Sequence, residues 1–220
     1  MIHAASLSCG DILNLERDVR ELMKGGITFL HLDIMDGHDV PNFCLNFDHI
    51  KQLRALSKDL ILETHLMVTN PCDFIAKCAS VGSDYFVVHP SNVSNVDDYI
   101  KKVKKTGMKV GLMVNIEDDI DSISPYLAQL DEILLMSVTP GDYGRPFNPI
   151  VYDKVSTLVK LKKDNNYHYI INVDGGVTKE RARDLKKLGA DAAVAGIFTV
   201  FRQPEGICES IKKLNEFINE

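Results

Sequence analysis

Residues 29–34 read Phe-Leu-His-Leu-Asp-Ile, a short apolar run that is interrupted only by His31 and Asp33. Continuous apolar runs, rather than alternating ones, are typical of strands that are buried on both faces of a parallel sheet. The same kind of run recurs at residues 2–6, 60–66, 85–89, 109–114, 132–136, 169–173 and 192–195. The sequence therefore predicts eight parallel strands.

Amphipathic segments lie between these runs and predict the connecting helices. Gly25–Gly26, Gly82, Gly107 and Gly189 each follow such a segment, where glycine can end a helix in a left-handed cap. Three helical faces are predicted, at Leu13, Leu15, Val19, Leu22 and Met23, at Tyr152, Val155, Leu158, Val159 and Leu161, and at Ile207, Ile211, Leu214 and Ile218.

The strand and helix patterns together define an α/β architecture. Eight units in 220 residues give about 27 residues a unit, the scale of a compact (β/α)8 barrel. We therefore expect a single TIM-barrel domain over residues 1–220. An open doubly wound sheet is the alternative, but no glycine-rich dinucleotide fingerprint follows the first run.

Composition excludes several classes of protein. The hydrophobic fraction of 45% and charged fraction of 25% are those of a globular chain. The formal charge of −6 argues against a nucleic-acid partner. The five cysteines form no C-x-x-C pair, which argues against disulfides and indicates a reducing, cytoplasmic compartment. No secretory signal is evident, and the apolar runs are far shorter than the ~20 residues of a membrane span.

Polar residues stand at the ends of the predicted strands, where a barrel carries its active site. His31 and Asp33 lie two apart on one strand and share a face. With His65 and Asp174 they offer two imidazoles and two carboxylates, a ligand set for zinc, iron(II), manganese or cobalt. A hydrogen-bonded His–Asp pair without metal is the alternative, because the H-x-D pattern is short. The other strand-end residues are Ser6, His89, Asn115, Ser137 and Gly196.

Glycines indicate a second feature of the site. Gly175, Gly176 and Gly196 follow the seventh and eighth runs, where barrels commonly bind phosphate through backbone N–H groups and a helix N-terminus. Thr178 is a candidate cap of the following helix. Residues 140–147 are either a mobile lid or an ordinary turn-rich connection.

These segments together resemble the ribulose-phosphate 3-epimerase family of (β/α)8 barrels, which are ribulose-phosphate-binding barrels. The longest match, at residues 31–42, reads HLDIMDGHDVPN. The shorter matches are Ser6-Leu7, His65-Leu66-Met67-Val68 with Asn70-Pro71, Met136-Ser137-Val138 with Pro140-Gly141, and Val173-Asp174-Gly175-Gly176.

The resemblance implies that His31, Asp33, His65 and Asp174 hold one divalent metal ion. It also implies that Asp33 and Asp174 are the catalytic acid and base of a sugar-phosphate 3-epimerase, an isomerase of the pentose phosphate pathway. D-Ribulose 5-phosphate would become D-xylulose 5-phosphate by 1,1-proton transfer through a metal-stabilised enediolate. Because the family forms dimers and larger assemblies, we expect a homo-oligomer.

The resemblance further implies which residues contact substrate and which line the site. Met136 fits ordinary core packing equally well. The implied substrate-binding residues are Ser6, His65, Gly141, Gly144, Asp174, Gly175, Gly176, Gly196 and Ile197, and the implied lining residues are Met35, Met67 and Met136.

Three positions depart from the family pattern. Ala5 stands where proline is usual, the loop from Pro140 to Arg145 reads PGDYGR in place of PGFGGQ, and Ile197 stands where the family has a serine that helps to hold phosphate. Asp142 would be unfavourable near a phosphate unless it faces a substrate hydroxyl or pairs with Arg145. We therefore expect retained proton-transfer chemistry and a retuned substrate end.

Other functions stay open at this stage. Cys9, residues 65–69 and His89-Pro90 look more like the D-allulose-6-phosphate 3-epimerase branch. A phosphate-barrel lyase is a rival, but the D-x-K-x-x-D pattern of related decarboxylases is absent at residues 63–68. An inactive sugar-phosphate-binding protein is the non-enzyme alternative.

Overall fold

A computed structural model describes residues 1–141 and 144–220. Its eight strands are all parallel and close into one barrel in chain order, with β8 pairing with β1. The predicted α/β barrel is thereby confirmed. The strands are β1 Ile2–Ser6, β2 Phe29–Met35, β3 Ile61–Met67, β4 Tyr85–Val88, β5 Lys109–Val114, β6 Glu132–Met136, β7 Ile170–Asp174 and β8 Ala192–Ala195.

The apolar runs located these strands closely. Four of the eight predicted runs coincide with their strands, and the other four differ by one residue at one or both ends. The shifts fall at strand ends, where burial changes gradually and apolar character marks no sharp boundary. Continuous apolar runs in the sequence are therefore sufficient to locate the strands of this barrel.

Seven α-helices occur in the described residues. The connection from β5 to β6 carries instead two 3₁₀ turns, Ile120–Ser122 and Ser124–Gln129. Buried Ile123 and Leu127 seat this connection against the rest of the molecule. The helices are α1 Leu15–Lys24, α2 Phe47–Leu56, α3 Ile75–Val81, α4 Val96–Lys105, α5 Val151–Asp164, α6 Lys179–Leu188 and α7 Ile207–Asn219.

One predicted helical face is partly wrong. Val19 and Leu22 are fully buried on α1, but Leu13 lies before the helix and is 88% exposed. The Asp11 carboxylate accepts a hydrogen bond from the backbone N–H of Leu13 at 3.1 Å, which holds the segment in a turn. The other two predicted faces are confirmed, with Val155, Leu158, Ile211 and Leu214 buried.

Glycine ends helices where the sequence predicts it. Gly82 and Gly189 cap α3 and α6 with φ of 97° and 101°, a left-handed conformation that glycine adopts without steric penalty. Within the described parts of the chain, no helix combines the length and the apolar character needed to cross a bilayer.

The barrel encloses a small apolar cluster of its own, separate from the large core between strands and helices. Phe29 belongs to this inner cluster. His31 and Asp33 follow it at intervals of two, so they face the same interior. The polar side chains that are 0% exposed include His31, Glu63, His65, Glu132 and Asn172.

Candidate metal centre and active site

Strand register brings the predicted cluster together. Asp33 on β2 is the register partner of His65 on β3, and Asp174 is the last residue of β7. Because parallel strands of a barrel end at one face, these side chains converge at its carboxyl-terminal mouth. One ligand atom from each of His31, Asp33, His65 and Asp174 lies within 4.8 Å of all the others.

Close contacts link the four side chains. His31 Nε2 lies 3.0 Å from Asp33 Oδ1 and 3.6 Å from Asp174 Oδ2. His65 Nδ1 lies 3.2 Å from the same Asp33 oxygen. Two imidazoles and two carboxylates within one small volume fit a divalent cation of the zinc, iron, manganese or cobalt type.

Hydroxyl groups hold the second oxygen of Asp33. Ser6 Oγ and Ser8 Oγ donate to Asp33 Oδ2 at 3.0 and 2.9 Å. Ser6 is a predicted substrate-contact residue, whereas Ser8 was missed. Ser8 lies in the 3₁₀ turn Leu7–Cys9 that follows β1, a position that strand patterns do not reveal. Donors of this kind favour the charged form of the Asp33 carboxyl.

The two histidines have different partners at their outer nitrogens. His31 Nδ1 lies 3.0 Å from Glu63 Oε1, and both side chains are fully buried. His65 Nε2 lies 2.9 Å from Met113 Sδ. Glu63 was also missed, although it stands two residues before His65 on β3 and period-two spacing places it on the same face.

The electrostatics of the cluster set its two aspartates apart. Burial opposes a charged His31, but the charges of Asp33, Glu63 and Asp174 outweigh it, and the pKa of His31 is raised well above its usual value. Burial opposes a charged Asp33 too, yet His31 and His65 hold its pKa well below the usual range. Burial outweighs the attraction of His31 at Asp174, so the pKa of Asp174 is raised. The concentration of carboxylates favours a bound cation.

A cavity of about 530 Å³ opens above the cluster, a size typical of small-molecule sites. His31 lies beneath it and is 0% exposed. The predicted site residues that line the cavity are Ser6, Asp33, Met35, His65, Met67, Met136, Gly141, Gly144, Asp174, Gly175, Gly176, Gly196 and Ile197.

Glycine is sterically required at one point of this lining. Gly175 has φ of 104°, and a Cβ at this position would collide with the side chain of Val138. Thr178 caps α6 as predicted, its hydroxyl accepting from the backbone N–H of Arg181 at 3.4 Å. The N-terminus of α6 therefore lies beside the loop that carries Gly175 and Gly176.

Other strand-end residues form structural contacts. His89 Nε2 lies 2.7 Å from Asp118 Oδ2, which also accepts from the backbone N–H of Asn115. The hydroxyl of Ser137 donates to the carbonyl of Asp174 at 2.9 Å. The described residues that line the cavity do not include His89, Asn115 or Ser137.

The loop after β6 contributes to the rim. The Asn42 side chain donates to the carbonyl of Gly141 at 2.8 Å, which ties this loop to the one after β2. Arg145 and Arg202 also line the cavity, and Arg202 was missed. The prediction about Asp142, like its neighbour Tyr143, lies outside the described residues.

Two cysteines face the same cavity. Burial, reinforced by the negative charge of Asp33, raises the pKa of both Cys9 and Cys44 to about 11. Cys9 packs closely against Gly196, because a Cβ atom added to this glycine would lie only 3.2 Å from the Cys9 sulfur. Neither thiol belongs to the His/Asp cluster.

The fold and this mouth define a class: a TIM barrel with a buried imidazole–carboxylate cluster beside glycine loops that suit an anion. The chain belongs to the ribulose-phosphate 3-epimerase family, whose model matches residues 2–201. The ribulose-phosphate 3-epimerase of Chlamydia muridarum is 33% identical over 199 residues, 89% of this chain and 86% of the relative. That of Escherichia coli K12 is 31% identical over 202 residues, 92% and 89% of the two chains.

A solved structure supports the fold independently. Thiamine phosphate pyrophosphorylase from Pyrococcus furiosus superposes with a TM-score of 0.66 at 17% identity, covering 99% of this chain and 95% of that one. At this identity the likeness concerns the fold alone.

Proposed function

We propose that this chain interconverts D-ribulose 5-phosphate and D-xylulose 5-phosphate by epimerisation at C3. The observation that carries the proposal is the pairing of Asp33 and Asp174, two carboxyls from β2 and β7 that share one cluster and both line the cavity. A 1,1-proton transfer without a redox cofactor needs two acid/base groups that reach opposite faces of one carbon. Family membership supports the same reaction.

The two carboxyls divide the proton transfer. Asp33, which accepts from Ser6 and Ser8, acts as the carboxylate that removes the C3 proton in one direction. Asp174 delivers a proton to the other face, and the roles reverse for the reverse reaction. His31, Asp33, His65 and Asp174 would hold one divalent cation. When bound, this cation supplies electrostatic stabilisation of the negative charge that develops on the sugar oxygens.

The remaining lining residues hold the substrate and exclude water. Met35, Met67 and Met136 present apolar surface around the reacting carbon. The backbone of Gly176 and Gly196 approaches the phosphate beside the N-terminus of α6, where N–H groups favour an anion. Ile197 contributes no hydroxyl, so the phosphate relies on backbone donors and on the rim.

The proposal is tested by assaying the purified protein with D-ribulose 5-phosphate and with D-allulose 6-phosphate in D₂O. We expect turnover of the pentulose phosphate with deuterium incorporation at C3, followed by NMR. Preferential turnover of the hexulose phosphate would instead assign the chain to allulose 6-phosphate epimerisation. Absence of both turnover and exchange, with each phosphate still binding, would indicate an inactive binding protein.

A further inference from the structure

A chain of hydrogen bonds runs through the barrel interior beneath the cluster. It starts at His31 Nδ1, 3.0 Å from Glu63 Oε1. Asn172 Nδ2 then donates to Glu63 Oε2 at 3.3 Å and to Glu132 Oε1 at 2.9 Å. The four side chains come from β2, β3, β7 and β6, and each is 0% exposed.

The contacts fix the direction of His31. A carboxylate only accepts, so Glu63 keeps a proton on His31 Nδ1, and the proton that a bound cation would displace is the one on Nε2. Nε2 faces the Asp33 and Asp174 oxygens, the other candidate ligands of that cation. Among the described residues, the outer nitrogen of His65, Nε2, contacts only the thioether of Met113, which is a weak acceptor.

Asn172 in turn fixes Glu63. The N–H group of its amide contacts both Glu63 and Glu132, so each oxygen of Glu63 faces a donor. Burial, reinforced by the charge of Glu63, raises the pKa of Glu132 well above its usual value. A neutral Glu132 can therefore accept from Asn172 without placing a second negative charge beside Glu63.

This arrangement is unfavourable for stability alone. Asn172 Oδ1 and Glu132 Oε2 are buried without a hydrogen-bond partner among the described residues, and such unpaired buried atoms lower the stability of the fold. Apolar side chains of similar volume would fill the same space with less penalty. The three polar groups are therefore explained better by their contact with His31 than by stability.

We propose that Glu63, held by Asn172, is the positioning residue that fixes His31 Nε2 toward the divalent cation. The inference rests on the metal site of the proposed function and deepens it, because it assigns unequal strength to the two imidazole ligands. His31 is the firmly oriented ligand, and His65 is the adaptable one. Outer partners of this kind typically change metal affinity by about 10- to 100-fold.

Titration of the full-length chain with Co²⁺, in competition with a chromophoric chelator, tests this assignment. Glu63→Gln should weaken Co²⁺ binding about 10- to 100-fold and alter the visible absorption bands of the bound ion. Glu63→Asp restores a carboxylate and should recover part of the affinity. Met113→Leu is the matched control at the other histidine and should stay within about threefold of wild type.

Thermal unfolding in excess chelator separates positioning from folding, because the metal contributes nothing to stability there. Should Glu63→Gln fail to fold, Asn172→Leu replaces it; this variant removes the donor to Glu63 and should still weaken Co²⁺ binding. Wild-type affinity in the folded variant, or an equal loss in Met113→Leu, would overturn the proposal. If the wild-type chain binds no Co²⁺, both the role of Glu63 and the assignment of the metal site are wrong. If Co²⁺ binding depends on Glu63 but the protein has no epimerase turnover, the role of Glu63 is supported and the proposed function is wrong.

Discussion

The two halves of the barrel mouth are constructed differently. The metal half, His31, Asp33, His65 and Asp174, stands on strands and is fixed by buried side-chain hydrogen bonds. The glycine half, Gly141, Gly144, Gly175, Gly176 and Gly196, consists mostly of loop backbone beyond the strand ends. The sequence resemblance implies the usual ligand set for the metal half, whereas Ile197 and Arg145, which lie beside the glycine half, differ from the residues that it implies. Side-chain contacts therefore fix the metal half more tightly than the glycine half.

The strongest test of the metal half removes its acid/base groups. Asp33→Asn and Asp174→Asn should each lower kcat by at least about 10³-fold, because each change removes a proton carrier and a candidate metal ligand. Asp121→Asn, at an exposed site on the β5–β6 connection, is the control and should retain wild-type kcat. Coupled assays of both substrates measure the effect. A folded variant with more than a tenth of wild-type turnover would contradict the assigned role.

A second test concerns Glu132, one of the buried polar residues beneath the metal half. Because the pKa of Glu132 is raised in the folded chain, the native state keeps a proton that the unfolded chain releases above about pH 4.5. The free energy of unfolding therefore falls as pH rises through this window, by up to about 1.4 kcal/mol per pH unit. Glu132→Gln abolishes this contribution and should gain stability relative to wild type between pH 5 and pH 8.

Urea unfolding in excess chelator measures this difference at each pH. Glu117→Gln, an exposed substitution on the loop after β5, serves as the control and should follow the wild-type profile. Parallel profiles for Glu132→Gln and wild type would show that Glu132 is ionised in the folded chain.

The smallest expected effect belongs to the glycine half. Ile197→Ser introduces a hydroxyl where the family pattern has serine, and one added hydrogen bond is worth about 1 kcal/mol. We expect KM for the sugar phosphate to fall about fivefold, with kcat unchanged. Ile197→Ala is the control, because it removes the apolar side chain without adding a hydroxyl donor. If the alanine variant lowers KM equally, then bulk rather than hydrogen bonding limits phosphate binding.

The sequence located the metal half for a physical reason. His31 and Asp33 interrupt a run that is otherwise apolar, His65 is a polar residue within a second run, and Asp174 directly follows a third. A charged group within a buried strand needs a partner, so such interruptions predict a site. Glu63 and Glu132 carry the same signal and were missed. Glu63 is the middle residue of its run, so the signal was present, whereas Glu132 is the first residue of its run, where an exposed position fits equally well.

Other features depended on tertiary context. The helical spacing that continues back to Leu13 cannot reveal that Asp11 holds a turn there. The β5–β6 connection lacks an α-helix in its described residues because two short turns cover the sheet. The contact of Asn172 with both Glu63 and Glu132 spans three strands, a relation that follows from barrel closure.

The cysteines at the cavity have a consequence for the redox chemistry of this protein. The thiolate is the form that reacts with peroxides and binds soft metals. With the pKa of Cys9 and Cys44 raised to about 11, only about one thiol in 10⁴ is ionised at pH 7. Both sulfurs are therefore poor nucleophiles. Oxidation of either thiol by peroxide, which proceeds through the thiolate, is correspondingly slow.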